Sequence, residues 1–142
     1  MRFSIPFVMC SLLVVVAGVS FPLIGVMLVS LFPSVLFSIV IEEVLKLVAA
    51  LLFLKWFSKH TALLAGAGFG FLFGVIEFFL YSALFISIDS LSAEWGRLCI
   101  TVPFHMVTVL LMVWAGSKKR WYVVPAFIVA VVLHWAFNAL VR

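Results

Sequence analysis

Four short polar breaks divide a chain that is otherwise almost continuously apolar. The breaks fall at residues 32–34, 58–61, 89–97 and 116–120. Each apolar run between them is long enough for a helix that crosses a bilayer, and none shows the period-2 alternation of barrel strands. The pattern predicts an all-α polytopic membrane helix bundle with about five transmembrane helices. We place them near residues 4–31, 34–57, 61–88, 97–116 and 121–141.

The composition indicates that lipid, and not water, surrounds most of this chain. It has 142 residues, of which 68% are hydrophobic and only 10% are charged. A water-soluble domain of this length could not bury so much apolar surface. We therefore expect one integral membrane domain over residues 1–142. The first apolar run continues to Leu31, which favours an uncleaved first helix over a signal peptide.

The basic residues favour one orientation in the bilayer. Six of the nine Lys and Arg residues fall on one side of a five-helix arrangement, namely Arg2, Lys55, Lys59, Lys118, Lys119 and Arg120. By the positive-inside rule, the N-terminus is then cytoplasmic and the C-terminus outside. The basic run at 118–120 is interpreted as a topology signal, and we expect no nucleic-acid partner.

Ionisable residues inside the apolar runs share one depth. Counted from the outer helix ends, the polar groups of four helices lie about 8–11 residues in, or roughly 12–17 Å below the surface. Each charge at mid-membrane costs on the order of 2.5–3.5 kcal/mol. These groups must therefore satisfy one another or face water. The depth count holds for Glu42, Glu77, His105 and His134, and Lys46 lies one helical turn deeper. The full set of polar groups is Glu42, Glu43, Lys46, Glu77, His105 and His134, accompanied by Asn138.

Helical spacing indicates which of these side chains share a face. Glu42 and Glu43 precede Lys46 by four and three residues, so the lysine can partly neutralise both. His134 and Asn138 are also four residues apart. In the next helix, glycines repeat every four residues at 66, 70 and 74, which predicts close approach of a neighbouring helix. Glu77 follows Gly74 by three residues and should point into that contact.

Four short motifs, one per predicted helix, resemble those of the PrsW-type intramembrane proteases. They read EEVLK, FGVIE, the lone His of TVPFH, and HWAFN, against the family's EExxK, FxxxE, His and HxxxN. The wider group includes the type II CAAX proteases and the Aph subunit of gamma-secretase. The resemblance covers about residues 34–142, and the chain departs from the family in its short length and minimal loops. It implies a peptidase of a bacterial or archaeal membrane that cuts a membrane-protein substrate near its extracytoplasmic boundary.

Peptide hydrolysis requires an activated water, an oxyanion stabiliser and a proton for the leaving amine. A helix-2 glutamate fits the base, and the resemblance favours Glu42 for water activation with Glu43 in support. His134 and Asn138 fit an oxyanion hole.

The remaining ionisable groups of the layer fit supporting roles. His105 would orient water or protonate the amine, and Glu77 would hold the histidines. Lys46 would orient the glutamate pair.

Two further interpretations remain open. The site could instead hold a divalent metal such as zinc, with one coordination position left open for water or substrate. Its ligands would be Glu43, Glu77, His105 and His134. The mechanism described above needs no cofactor. The chain could also be a non-catalytic membrane scaffold or a proton-coupled carrier, because Glu and His layers also form proton relays. A scaffold would tolerate Glu42→Gln and His134→Ala. A carrier would show flux that depends on a pH gradient.

The predicted orientation is tested by labelling introduced cysteines with a reagent that does not cross the membrane. We expect a cysteine at Ser117 to be protected and one at Ser92 to react, because the basic side should face the cytoplasm. The reverse pattern would overturn both the orientation and the depth count.

Overall fold

The structure of the protein, a computed structural model, describes residues 5–31, 34–85 and 91–140. Within these ranges the chain forms five α-helices and one short 3-10 turn, with no strand. The helices are α1 (Ile5–Leu31), α2 (Val35–Trp56), α3 (Lys59–Phe85), α4 (Leu91–Lys118) and α5 (Val123–Leu140), and the 3-10 turn at Arg120–Tyr122 joins α4 to α5. The predicted all-α bundle is confirmed.

Four of the described helices are long and apolar enough to cross a membrane, one fewer than the five spans expected. The exception is α2, because any stretch of 18 residues within it contains Glu42, Glu43 and Lys46. At about 1.5 Å per residue, its 22 residues extend for roughly 33 Å, which is enough for a ~30 Å hydrocarbon core. All three ionisable side chains are buried in the bundle. Membrane crossing by α2 stays a prediction.

The helix boundaries differ from the predicted ones mainly at the start of α4. We expected residues 89–97 to form a loop, but α4 already begins at Leu91. Charged residues near a helix end suggested a loop, although a helix can extend beyond the apolar layer and an acidic group near its N-terminus is favourable there. Helix α3 begins two residues earlier than predicted, where the Ser58 hydroxyl accepts a hydrogen bond from the Thr61 N–H at 3.4 Å. The predicted end of this helix, at residue 88, lies outside the described residues.

Neighbouring helices alternate in direction. α1 lies against α2 and α3, and α3 packs most extensively against α4. Lys46 contacts Thr108, and Leu54 lies beside Gly116, so α2 and α4 run parallel. Within the described residues, α5 contacts α2 and α4 and neither α1 nor α3. The ionisable faces of α2, α3, α4 and α5 can therefore meet around the α2–α4 contact.

The stripe of glycines on α3 brings its backbone against that of α4. A Cβ atom on Gly70 would lie 2.7 Å from Met106 Cα and 2.8 Å from the His105 carbonyl oxygen. A Cβ atom on Gly74 would lie 2.9 Å from Val102 Cα. The predicted close approach is thus confirmed, and it fixes the position of His105 along α3.

Substitution of Gly70 by alanine should loosen the bundle. The added methyl group would meet backbone atoms that cannot rotate away, and overpacking of this kind costs about 1–3 kcal/mol. We expect a corresponding fall in the free energy of unfolding, measured by titration with a denaturing detergent. The matched control is Gly96→Ala, since a Cβ on Gly96 meets no atom within 4 Å. A helical alanine there should stabilise the protein by about 0.5–1 kcal/mol. Equal effects of the two substitutions would contradict the proposed contact.

Candidate active site

Glu43 is the centre of a buried chain of three ionisable residues. Lys46 Nζ donates a hydrogen bond to Glu43 Oε1 at 2.5 Å, and His134 Nδ1 lies 2.7 Å from the same oxygen. All three side chains are nearly or completely buried. A carboxylate only accepts hydrogen bonds, so the imidazole Nδ1 carries the proton. In a neutral imidazole, Nε2 is then free to accept a proton.

Glu42 lies on the other side of the His134 ring. Its Oε1 accepts a hydrogen bond from Ser38 Oγ at 3.0 Å, and its Oε2 is 3.6 Å from His134 Nε2. The two glutamates of α2 therefore face opposite nitrogens of one imidazole. This division could not be read from the sequence, because Glu42 and Glu43 are adjacent and both can reach the same helix face.

A second carboxylate and imidazole pair joins α3 to α4. Glu77 Oε2 lies 3.1 Å from His105 Nε2. The two atoms are close but not aligned as a hydrogen bond, and neither ring nitrogen of His105 has a hydrogen-bond partner among the described residues. Buried polar atoms normally have such a partner. The Glu77–His105 pair is thus available to a water molecule or to a polar group of a ligand.

Aromatic rings hold both histidines in place. Phe73 stacks on His105, with 5.3 Å between ring centroids. Phe104 meets both imidazoles edge-on, at 5.8 Å from His105 and 5.4 Å from His134, and it stacks on Phe137 at 4.6 Å. Sequence reasoning missed the role of Phe104, because one phenylalanine among sixteen carries no distinguishing signal.

Thr108 links the lysine to the α4 histidine. Its hydroxyl donates a hydrogen bond to the His105 carbonyl oxygen at 3.1 Å. The same hydroxyl oxygen lies 3.5 Å from Lys46 Nζ. Lys46 also lies 5.1 Å from the centre of the Phe73 ring. The ammonium group is therefore surrounded by a carboxylate, a hydroxyl and a π-face, which together replace its hydration.

The structure brings six residues of the predicted polar layer together. The centroids of the His105 and His134 rings are 5.6 Å apart, so both imidazoles can act on groups at one centre, directly or through one water. The contacts above join Glu42, Glu43, Lys46 and Glu77 to these rings. The catalytic roles of these residues, and a cavity between them, stay predictions.

Asn138 is less closely tied to the layer than expected. Its side chain is half-buried, one turn beyond His134, and it has no hydrogen bond within the described part of the chain. The pairing of Asn138 with His134 as an oxyanion hole stays a prediction.

The arrangement gives no support to a metal site. No three His, Cys, Asp or Glu side chains in the described ranges form a group that could hold a metal ion. Of the four suggested ligands, Glu43 already has Lys46 and His134 on one oxygen. The ammonium group of Lys46, 2.5 Å from the Glu43 oxygen, would repel a divalent cation bound to that carboxylate. Zinc binding by Glu43, Glu77, His105 and His134 stays a prediction without structural support.

Comparisons with protein-family models, with curated proteins and with solved structures each give no match to this chain. The resemblance to the PrsW-type proteases therefore rests on the four motifs alone.

Removal of the lysine should leave the Glu43 carboxylate buried without its cation. We expect Lys46→Met to lower the free energy of unfolding by about 3–5 kcal/mol in a detergent titration. Adding Glu43→Gln should recover much of that loss, because the buried charge disappears with its partner. Lys55→Met, on the exposed end of the same helix, serves as the control and should change stability by less than about 0.5 kcal/mol. A similar small effect of Lys46→Met would show that the ion pair does not form.

Proposed function

We propose that the protein is an intramembrane peptidase that hydrolyses a peptide bond of a membrane-protein substrate. The single observation that carries the proposal is the chain from Lys46 through Glu43 to His134. A carboxylate on Nδ1 orients an imidazole so that Nε2 can exchange protons with water or substrate. Such a chain, beside a second carboxylate and imidazole pair in an otherwise apolar bundle, provides acid and base groups within reach of one bond.

Glu42 is the proposed general base. Glu43 is less suited to that role, because one of its oxygens is already bound by Lys46 and His134. Glu42 Oε2 faces His134 Nε2 across 3.6 Å, so both atoms can contact a single water molecule. Glu42 takes one proton from this water, and the remaining hydroxide attacks the carbonyl carbon of the substrate. Glu43 supports the reaction by fixing the imidazole.

The histidines serve the second half of the reaction. The proton taken from the water is shared between Glu42 and His134 Nε2, which gives His134 an N–H group that stabilises the oxyanion formed by the attack. His105 and Asn138 would add further donors. The C–N bond then breaks, and the proton held by Glu42 passes to the leaving amine directly or through His105. Glu77 orients His105 across 3.1 Å. Each turnover consumes one water and restores the starting protonation.

The same proposal includes the orientation of the bundle in the membrane and the side from which water and substrate reach the site. With the N-terminus cytoplasmic, the site lies toward the outer face of a bacterial or archaeal cell membrane. Gly66 and Gly70 support closure on the inner side, since a Cβ on Gly66 would lie 3.1 Å from the Val113 side chain and one on Gly70 would meet the α4 backbone. A substrate is then cut near its extracytoplasmic boundary, where its helix can fray and expose a peptide bond.

A proton-coupled carrier is the second candidate. The observation that favours it is the edge-on contact of the two histidines, each beside a glutamate, which gives a chain of titratable groups across α2, α3, α4 and α5. A carrier would use that chain to move protons with a solute, and it would cleave no peptide bond.

Substitution of Glu42 by glutamine separates these functions. We expect co-expression of the wild type with single-span membrane proteins to yield a cleavage product of defined mass. Glu42→Gln should reduce its formation by about 10²–10⁴-fold, the typical contribution of a general base. Glu94→Gln makes the same chemical change near the start of α4 and should leave cleavage unchanged.

Four outcomes would contradict the proposal or its metal-free mechanism. Cleavage that survives Glu42→Gln and His134→Ala would exclude these residues from catalysis, and the absence of any product would favour the scaffold. Flux driven by a pH gradient without cleavage would identify the carrier. Loss of cleavage on treatment with a zinc chelator would support the metal-dependent mechanism instead.

A further inference from the structure

A cluster of cations lies at the end of the bundle where α2 and α4 terminate, which we call the basic end. It comprises Lys55, Lys59, Lys118, Lys119 and Arg120. The end of α2 lies beside the α4–α5 connection, because Leu54 of α2 and Val123 of α5 are both close to Gly116. The five positive charges, which belong to separate segments of sequence, therefore share one surface.

No carboxylate neutralises the basic end within the described residues. The Lys46–Glu43 ion pair and the three histidine–glutamate contacts of the described structure all lie in the polar layer. Of the five acidic residues in the sequence, three belong to that layer and Glu94 lies near the opposite end of α4. Asp89 is outside the described residues and precedes α4. The surface therefore attracts anions.

Aromatic rings place these cations at the level of a membrane interface. Trp56, Trp114 and Trp121 are 54%, 53% and 64% exposed. Exposed tryptophans at helix ends lie at the depth of lipid headgroups. The cations Lys55 and Lys118 lie 6.0 Å and 5.9 Å from the Trp56 and Trp114 ring centres, and Lys119 lies 5.8 Å from that of Tyr122.

We propose that the basic end is a binding site for the headgroups of anionic phospholipids. An ammonium group held over an interfacial ring is at the height of the lipid phosphate, and the adjacent apolar helix faces can contact the acyl chains. A soluble polyanion would meet the same charges but not the apolar faces. This inference is independent of the proposed peptidase activity.

Lipid retention measured by native mass spectrometry tests the proposal. The purified protein is incubated with equal amounts of phosphatidylglycerol and phosphatidylcholine, and the bound lipid is counted. We expect retention of phosphatidylglycerol over phosphatidylcholine, and weaker retention at high salt. The double variant Lys118→Gln/Lys119→Gln should lower phosphatidylglycerol retention by about 25-fold, since each cation near an anionic lipid contributes about fivefold.

The matched control removes two positive charges that the predicted orientation places on the other side of the membrane. Arg97→Gln/Arg142→Gln should keep the wild-type retention. Equal losses in the two double variants, or equal retention of the two lipids by the wild type, would overturn the site and leave the basic residues as a topology signal only. If the Lys118/Lys119 variant loses helicity, the single variant Lys119→Gln replaces it and should lower phosphatidylglycerol retention by about fivefold. Unchanged retention in a folded single variant would likewise overturn the proposal.

Discussion

The buried contact between Lys46 and Glu43 is the interaction on which the polar layer depends. Two opposite charges on one helix, three residues apart, are held 2.5 Å from each other where neither has access to water. Because the cation is already neutralised within α2, the Glu43 oxygen can accept a second donor from α5 without a further buried charge. The position of His134, and through it the relation of Glu42 to that ring, follows from this pair.

The second determinant is the contact between two backbones. With no side chain on Gly70 and Gly74, α4 approaches α3 until the His105 ring lies against Phe73 and beside Glu77. A larger residue at either glycine would move the α4 histidine away from the α3 glutamate. The packing residues of α3 therefore set the geometry of the second carboxylate and imidazole pair, although they carry no polar group themselves.

Much of this arrangement could be predicted from spacing alone. Apolar runs indicated the helices, and the i+3 and i+4 relations of Lys46 to the glutamates indicated the ion pair. Charged residues near a helix end were less informative, and for that reason the start of α4 was placed too late. The sequence could not assign different partners to Glu42 and Glu43, because that depends on the rotation of α5 against α2. It also could not single out Phe104, whose importance comes only from contacts with residues far along the chain.

The pairing of ionisable groups within α2 has a consequence for how the chain is made. Helix α2 leaves the ribosome before α4 and α5, so its charged segment emerges before His134 and Thr108 can pack against it. Lys46 and Ser38 belong to α2 itself, within one turn of Glu43 and Glu42. Local neutralisation of this kind lowers the cost of transferring the segment into lipid, which is on the order of 2.5–3.5 kcal/mol for each isolated charge. The helix that carries the buried glutamates thus reaches the bilayer with its own counter-ion and hydroxyl, and the histidines join them during assembly.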